Sequence, residues 1–252
     1  TLFRSLIAKQ MPGTPIKLLW SREEDMAQGR FHPVTQCKLT GAFDADNNLT
    51  GLHMRLSGQS ILFSVRPAAL ENGKDPAAFQ GVSPSGDAAI GYSVPNLLVE
   101  HSMRNPHVPP GFWRGVNVNH NAIYLECFMD ELAHAAGQDP LEFRRKLMSK
   151  HPKHLAVLNA VAEKIGWGKP QPQGHHLGLC QMMGFGSYVA GAAEVSVEGD
   201  KVKIHRIVGA TDPGFAVNPA QIDRQVAGSF VYGLSALFYG EITVKDGAVE
   251  QG

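Results

Sequence analysis

The order of predicted strands and helices along these 252 residues indicates an α+β fold. An alternating apolar pattern predicts a β-hairpin over 36–56, and a second group of strands is predicted over 177–208. Between them, helical spacing with capping residues predicts a block of helices over 119–165. Strands thus lie on both sides of a helical block without regular βαβ alternation, so we expect two α+β lobes of mixed sheets and helices.

The first part of the chain is predicted to contain strands, loops and little helix. Its expected elements are a helix at 1–10, a buried strand at 16–20, hairpin strands at 36–43 and 49–56 around the polar turn 44–48, and a strand at 97–103. Glycine, proline, serine and asparagine are frequent over 64–95. That segment is therefore predicted to be loop, apart from a short helix that starts at Asp75-Pro76.

The helical block has clear starts and stops. The first helix begins near Asn119 and carries apolar residues at helical spacing up to Gly137, which suits a left-handed C-terminal cap. Asp139-Pro140 opens the second helix as a cap followed by a first-turn proline. A third helix is predicted over 153–165, before Gly166.

The polar, proline-containing segment 169–176 is the best candidate for an internal boundary. We therefore expect two partial lobes, residues 1–168 and residues 169–252. The elements expected in the second lobe are strands at 177–182, 191–197 and 202–208, a long helix from Asn218-Pro219, and a final turn at Asp246-Gly247.

Charge and cysteine content exclude several classes of function. Lys plus Arg and Asp plus Glu number 23 each, so no net field attracts the chain to nucleic acid. The three cysteines lie far apart without a CxxC pair and supply no zinc-ribbon or iron–sulfur ligands. His175-His176 has no partner at metal-ligand spacing, and no phosphate-loop, dinucleotide or nucleophile-elbow motif occurs. We expect neither a nucleic-acid partner nor a metal held directly by side chains.

The segment 111–117 has the features of a ligand-binding loop. Arg114 supplies planar hydrogen-bond donors for an anionic group, and Gly115 lets the backbone approach a ligand closely. The helix that follows is expected to present free N–H groups and the positive end of its dipole, which suit phosphate. The alternative is a surface arginine beside a buried Trp113.

Gln225 is the second candidate ligand residue. It lies next to small residues up to Gly228 in the predicted long helix, where an amide can approach a ligand closely. An ordinary place on the helix surface is the alternative. The adjacent Asp130 and Glu131 face different sides of a helix and cannot form an acid/base dyad, so we expect either a solvated face or a salt bridge with Arg144 or Arg145.

Two blocks of residues, in order, resemble the molybdenum-cofactor-binding large subunit of the xanthine dehydrogenase/aldehyde oxidase family. The first block contains Phe112-Trp113-Arg114-Gly115-Val116, then Met129-Asp130-Glu131-Leu132-Ala133 and the segment 139–144. The second contains Phe185-Gly186-Ser187-Tyr188-Val189, Asp212-Pro213-Gly214, Gln225 and Gly228. The phrases at 17–26 and 237–242 favour the isoquinoline 1-oxidoreductase beta-subunit branch, and the likeness covers nearly the whole chain.

This resemblance implies a molybdenum hydroxylase type oxidoreductase that hydroxylates an aldehyde or an N-heterocyclic aromatic carbon with oxygen derived from water. It implies molybdopterin with molybdenum, in the cytosine dinucleotide form, and the fold of the molybdopterin-binding domain. The cofactor would be contacted by Arg114, Gly115, Gln225 and Gly228, and the substrate pocket would be bordered by Trp113 and Val116.

The sequence also departs from the family pattern. Val116 stands where many relatives have an aromatic residue that helps to sandwich the substrate, and His120 stands where relatives often have glutamine. The family's Gly-Gln-Gly cofactor loop and its glutamate base are absent, and we expect them before Thr1 and after Gly252. No catalytic residue is therefore assigned, and the chain alone is expected to be inactive.

The resemblance further implies a small 2Fe–2S subunit that receives the electrons, and a cytochrome c acceptor. It favours a periplasmic place or a membrane-associated place on the periplasmic side, with the cytoplasm as the alternative. The competing function is a non-catalytic interaction or scaffold domain that keeps the α+β fold without a cofactor. The cofactor hypothesis predicts that Arg114 and Gln225 converge in a groove, whereas the scaffold hypothesis allows them to lie far apart.

Overall fold

The computed structural model describes residues 2–84 and 89–251. Contacts within the chain define two compact units. The larger unit is Phe31–Val226, and the smaller one combines residues 1–30 with residues 227–252. Each unit contains both helix and strand, so the predicted α+β class is confirmed.

The first sheet of the larger unit is formed by the predicted hairpin and one later strand. Its strands are β1 (Thr35–Phe43), β2 (Leu49–Gly58) and β3 (Asn96–Met103). The Asp44 carboxylate closes the turn between β1 and β2 by accepting from the backbone N–H groups of Asp46 and Asn48 at 3.0 and 2.9 Å. The hairpin is antiparallel as predicted, whereas β3 runs parallel to β2.

A parallel neighbour requires a long connection between its strands. The segment after β2 provides it with α3 (Ile61–Val65) and two 3-10 helices, Pro67–Ala69 and Pro76–Phe79. The predicted start at Asp75-Pro76 is confirmed, because the Asp75 side chain accepts from the Ala77 N–H at 2.8 Å.

The three predicted helices follow as α4 (Val118–Ala135), α5 (Pro140–Leu147) and α6 (Pro152–Ile165). The expected caps are present: Gly137 and Gly166 have φ angles of +66° and +84°, and the Asp139 side chain accepts from the first N–H groups of α5. Sequence-local signals therefore set the ends of this block.

The second sheet is an antiparallel meander of β4 (His175–Gly184), β5 (Ser187–Glu198) and β6 (Lys201–Asp212). Helix α6 packs against all three strands, and a continuous apolar core joins the first sheet, α4 to α6, β4 and β5. Residues on both sides of the segment 169–176 therefore share one compact unit. The assignment of 1–168 and 169–252 to two partial molybdopterin-binding lobes stays a prediction.

A buried polar network crosses this core. Arg144 is fully buried and donates from Nε to Glu126 at 3.1 Å and from Nη1 to Asp130 at 2.6 Å. Glu126 also accepts from the Tyr92 hydroxyl at 2.7 Å and from the Gln181 amide at 3.1 Å. The expected salt bridge of Asp130 with Arg144 is confirmed. Burial raises the pKa of Glu126 and of Tyr92, while the charge of Arg144 opposes the rise at both groups.

The smaller unit contains α1 (Leu2–Gln10), α2 (Arg22–Gln28) and the strands β7 (Val244–Lys245) and β8 (Ala248–Val249). Helix α7 (Pro219–Tyr239) begins in the larger unit and continues into the smaller one. Across 2–84 and 89–251, no helix is both long and apolar enough to cross a membrane.

The prediction of a buried strand at 16–20 is wrong. This segment forms neither helix nor strand, and Leu19 and Trp20 are 72% and 57% exposed. A short apolar run becomes a strand only when a neighbouring strand takes up its backbone hydrogen bonds. Here the chain enters α2 instead, because Ser21 and Glu24 form a reciprocal capping box.

Candidate functional site

The loop that carries Arg114 is anchored at its entry by a distant residue. The Phe31 N–H donates to the Pro109 carbonyl at 3.2 Å, and the Gly111 N–H donates to the Phe31 carbonyl at 2.9 Å. These two bonds make a short parallel bridge centred on Pro110. The start of the larger unit thereby fixes where the loop begins.

The backbone adopts a left-handed conformation at Gly115 and at Val116, directly after Arg114. Gly115 has a φ of +90° and Val116 a φ of +54°. A β-branched residue in that region is a genuine outlier that costs about 1–3 kcal/mol, and such strain often marks functional sites. A Cβ on Gly115 would lie 2.1 Å from the Asn119 Oδ1 atom, so a larger residue would displace the Asn119 side chain and would also be strained at a φ of +90°.

Hydrogen bonds hold the carbonyl groups of this loop. The Trp113 carbonyl accepts from the Val116 N–H at 2.7 Å, and the Arg114 carbonyl accepts from the Asn119 side-chain amide at 2.7 Å. The Val116 carbonyl accepts from His32 Nε2 at 3.3 Å. Because a carbonyl can only accept, this geometry assigns the proton of His32 to Nε2.

Arg114 and Gln225 converge. The Arg114 Nη2 atom donates to the Gln225 side-chain oxygen at 3.0 Å and to the Gln225 backbone oxygen at 3.3 Å. Both side chains are exposed and both belong to the larger unit. The two side chains therefore lie close together, whereas the groove and their role as cofactor ligands stay predictions.

The donor chemistry of this pair fits a molybdopterin. Guanidinium N–H groups suit the anionic phosphate of such a cofactor, and an amide can both donate to and accept from the polar edge of a pterin. Gly115 fits as well, because its conformation brings bare backbone next to the guanidinium-bearing residue. These residues would bind and orient the group.

The other predicted site residues are Trp113, Val116 and Gly228, and they lie in different surroundings. Trp113 is partly buried, with its ring edge-on to His32 at a centroid distance of 5.7 Å, and Val116 lies at the strained turn. Gly228 lies on α7 in the smaller unit, and a Cβ built there meets no atom of the described residues within 4 Å. Roles for Trp113, Val116 and Gly228 therefore rest on the sequence resemblance.

The start of α4 differs from the expected anion site. The Asn117 N–H donates to the Gln80 side-chain oxygen at 3.2 Å, and the Val118 N–H donates to the Gly115 carbonyl at 3.1 Å. Two N–H groups at this helix end are therefore already bonded within the protein. The prediction of free N–H groups is wrong for these two, because one bonds to the preceding loop and the other to the distant Gln80 side chain.

Two histidines, His32 and His120, lie next to each other beside this loop. The His32 and His120 rings are 5.3 Å apart, and the His120 Nδ1 atom is buried without a hydrogen-bond partner among the described residues. Burial lowers the pKa of His120 to about 4, with a smaller effect from nearby His32, so His120 is neutral near pH 7. Sequence reasoning missed His32, because its partner Val116 is 84 positions away.

Metal sites formed directly by protein side chains need several His, Cys, Asp or Glu residues close together. Across the part of the chain that the structure describes, no three His, Cys, Asp or Glu side chains are arranged to hold a metal ion. A metal at this loop would therefore need most of its ligands from a bound cofactor.

Two family models match the chain, and both are described as a molybdopterin cofactor-binding domain. They match residues 2–148 and 121–252, each more than half of the chain. The isoquinoline 1-oxidoreductase subunit beta of Brevundimonas diminuta is 24% identical over 94% of this chain and 31% of that protein.

A second relative is the membrane-bound aldehyde dehydrogenase (pyrroloquinoline-quinone) of Gluconacetobacter polyoxogenes, 25% identical over 96% of this chain and 34% of that protein. The chain thus spans about a third of the length of these relatives. Among solved structures, quinoline 2-oxidoreductase from Pseudomonas putida 86 matches with a TM-score of 0.47 and 19% identity, over 75% of this chain and 25% of that one.

Proposed function

Because the chain belongs to the molybdopterin cofactor-binding domain family, we propose that it forms part of the cofactor site of a larger oxidoreductase. The substrate class is an aldehyde or an N-heterocyclic aromatic compound, and the reaction hydroxylates an electron-poor carbon with oxygen from water. When bound, the molybdenum cofactor supplies the two-electron chemistry of that hydroxylation.

The observation that carries this proposal is the contact between Arg114 and Gln225 beside the left-handed Gly115. Arg114 binds the cofactor through its guanidinium, and Gln225 orients the pterin through its amide. The hydrogen bond between them holds both side chains in one place before the cofactor arrives, which lowers the entropy cost of binding.

We also propose the form of the cofactor, the electron-transfer partners and the location of the whole protein. The cofactor is the cytosine dinucleotide form of molybdopterin, and electrons pass to a small 2Fe–2S subunit and on to cytochrome c. The glutamate base lies elsewhere in the whole protein, so the chain alone is inactive. We also propose a periplasmic place for the assembly, or a membrane-associated one on the periplasmic side. Sequence resemblance supports each of these statements.

Isotope labelling tests the reaction class. The whole protein, purified with its small subunit, is supplied with isoquinoline or an aromatic aldehyde and an artificial electron acceptor in ¹⁸O-labelled water. The proposal predicts a hydroxylated product that carries the label. Product with unlabelled oxygen, or no turnover of either substrate class by protein that contains molybdenum, would contradict it.

A further inference from the structure

His32 contacts the candidate cofactor loop, residues 111–117. Its Nε2 atom donates to the Val116 carbonyl at 3.3 Å, and its ring is edge-on to Trp113 at 5.7 Å. The neighbouring Phe31 bridges to the loop entry through its backbone. Residues 31 and 32 thus touch the loop at its entry, at Trp113 and at the end of its strained turn.

The bond from His32 acts at the position where the backbone most needs support. Val116 is a β-branched residue with a φ of +54°, and such a conformation persists only when surrounding contacts enforce it. Its N–H is held by the Trp113 carbonyl, and its carbonyl is held by His32. Without the second bond, the left-handed Val116 loses one of the two hydrogen bonds that hold its backbone groups.

The ring of His32 also contacts a second ring, that of His120. His120 lies 5.3 Å from it on α4, and the contacts with Trp113 and His120 are both edge-on. These contacts limit rotation of the imidazole and keep Nε2 aimed at the Val116 carbonyl. Tyr124 lies beyond His120 at 6.1 Å and bonds to Thr35, which ties the stack to β1.

We propose that His32 is a positioning residue, which fixes the Arg114–Val116 turn by donating from Nε2 to the Val116 carbonyl and so aims Arg114 at the molybdopterin. It touches neither cofactor nor substrate. This inference rests on the proposed function for its role, but the hydrogen bond itself is testable without any cofactor.

The test compares His32→Leu with His32→Gln in the whole protein and its small subunit. Glutamine can place an amide N–H close to the Nε2 position, whereas leucine keeps bulk and loses the donor. His134→Leu is the matched control, because His134 is exposed in the last turn of α4. Molybdenum and pterin contents and the Mo(V) paramagnetic resonance spectrum are measured for all four proteins.

We expect His32→Leu to retain at least about fivefold less cofactor, which corresponds to about 1 kcal/mol, the value of one hydrogen bond. Its residual Mo(V) spectrum is expected to shift, because Arg114 is displaced. His32→Gln is expected to resemble the wild type. Equal cofactor content and identical spectra in His32→Leu and wild type would overturn the inference.

A measurement without cofactor separates this inference from the proposed function. Long-range ¹H–¹⁵N correlation in histidine-labelled wild-type protein reports which ring nitrogen of His32 carries the proton, and labelled Val116 reports its backbone angle. The inference predicts a protonated Nε2 and a left-handed Val116 that relaxes in His32→Leu. A proton on Nδ1 alone overturns it even if molybdenum binds. Absence of molybdenum from the wild type contradicts the proposed function. The hydrogen bond from His32 Nε2 to Val116 is then still tested by the proton position and by the backbone angle of Val116.

Discussion

Arg114 donates a hydrogen bond of 3.0 Å to the side chain of Gln225, a residue 111 positions later in the chain. Each of the two was a candidate ligand on separate grounds, one from a glycine-containing loop and the other from a helix with small residues. Their contact brings the two candidates together within a single compact unit.

Replacing Gly115 with alanine is expected to disrupt the site. The new Cβ would lie 2.1 Å from Asn119 Oδ1, and a φ of +90° is strained for any residue with a side chain. A local cost of about 1–3 kcal/mol predicts a five- to 150-fold loss in cofactor retention. Molybdenum analysis of the purified variant checks this.

Gly178→Ala is the control for that substitution. Gly178 lies in β4, its φ is outside the left-handed region, and a Cβ there meets no atom of the described residues within 4 Å. Its cofactor content is expected to equal that of the wild type. If Gly115→Ala also kept full content, the close approach of this loop to the cofactor would be refuted.

Replacing Glu126 with glutamine is expected to destabilise the fold. Arg144 is fully buried and takes its charge pairing from Glu126 and Asp130, so loss of one carboxylate leaves the buried guanidinium poorly compensated. Removal of one partner of a buried pair typically costs about 3–5 kcal/mol. Urea unfolding measures this loss, with the neighbouring exposed Glu131→Gln as control. A change below about 1 kcal/mol would mean that Asp130 alone compensates Arg144.

His120 is expected to make stability fall in acid. Its pKa is about 4 in the folded chain and 6.5 as an unperturbed group, because burial disfavours the charged ring. The unfolded chain therefore binds the proton first, and the contribution of His120 is fully present above pH 6.5 and is lost as the pH falls towards 4. The fall of the pKa from 6.5 to about 4 corresponds to about 3 kcal/mol.

The measurement for His120 is the free energy of unfolding against pH. His120→Gln is expected to flatten the slope between pH 6.5 and 4, whereas His134→Gln, at an exposed position, is expected to leave it unchanged. A wild-type slope that survives in His120→Gln would assign the acid sensitivity to other groups.

In the second sheet, the histidine pair His175 and His205 lies beside Glu194. The His175 and His205 rings stack at 3.9 Å, and His175 Nδ1 lies 2.7 Å from the Glu194 carboxylate. The hydrogen bond from His175 lowers the pKa of Glu194, with a further contribution from Arg206. His175→Leu is therefore expected to raise that pKa, measured by carboxyl ¹³C titration, while the exposed neighbour His176→Leu leaves it unchanged.

The sign of the Glu194 effect follows from its lowered pKa. Its ionised form contributes stability above the unfolded value of 4.5, and this contribution is lost as the pH falls through the lower folded value. An unchanged Glu194 titration in His175→Leu would show that the hydrogen bond is absent in solution.

Local signals predicted most of the fold. Asp44, Asp139 and Gly166 act within a few residues of their own positions, and each forms the turn or cap that its sequence context indicates. The parallel pairing of β3 with β2 could not be predicted, because it depends on the path of the long connection between them. The run at 16–20 was misassigned because periodicity cannot show whether a partner strand exists.

The site could be predicted only in part. Arg114, Gly115 and Gln225 carry recognisable chemistry within their own segments. The placement of His32 next to this loop goes with a backbone bridge between Phe31 and Pro110, and such a bridge leaves no periodic trace in either segment. The Asn119 amide was likewise hidden, because a helix start gives no sign of the carbonyl that its side chain will reach.

The most direct test of the central claim is molybdenum and pterin analysis of the whole protein with its small subunit, in wild type and in the Arg114→Ala/Gln225→Ala variant. Arg104→Ala/Gln221→Ala is the control, because it removes one exposed arginine and one exposed glutamine of the same helix α7. We predict about one molybdenum and one pterin per wild-type chain, an equal content in the control, and a large loss in the Arg114/Gln225 variant. A well-folded wild-type complex that contains a quinone or no cofactor at all, or full molybdenum in the Arg114/Gln225 variant, would contradict the assignment of this site.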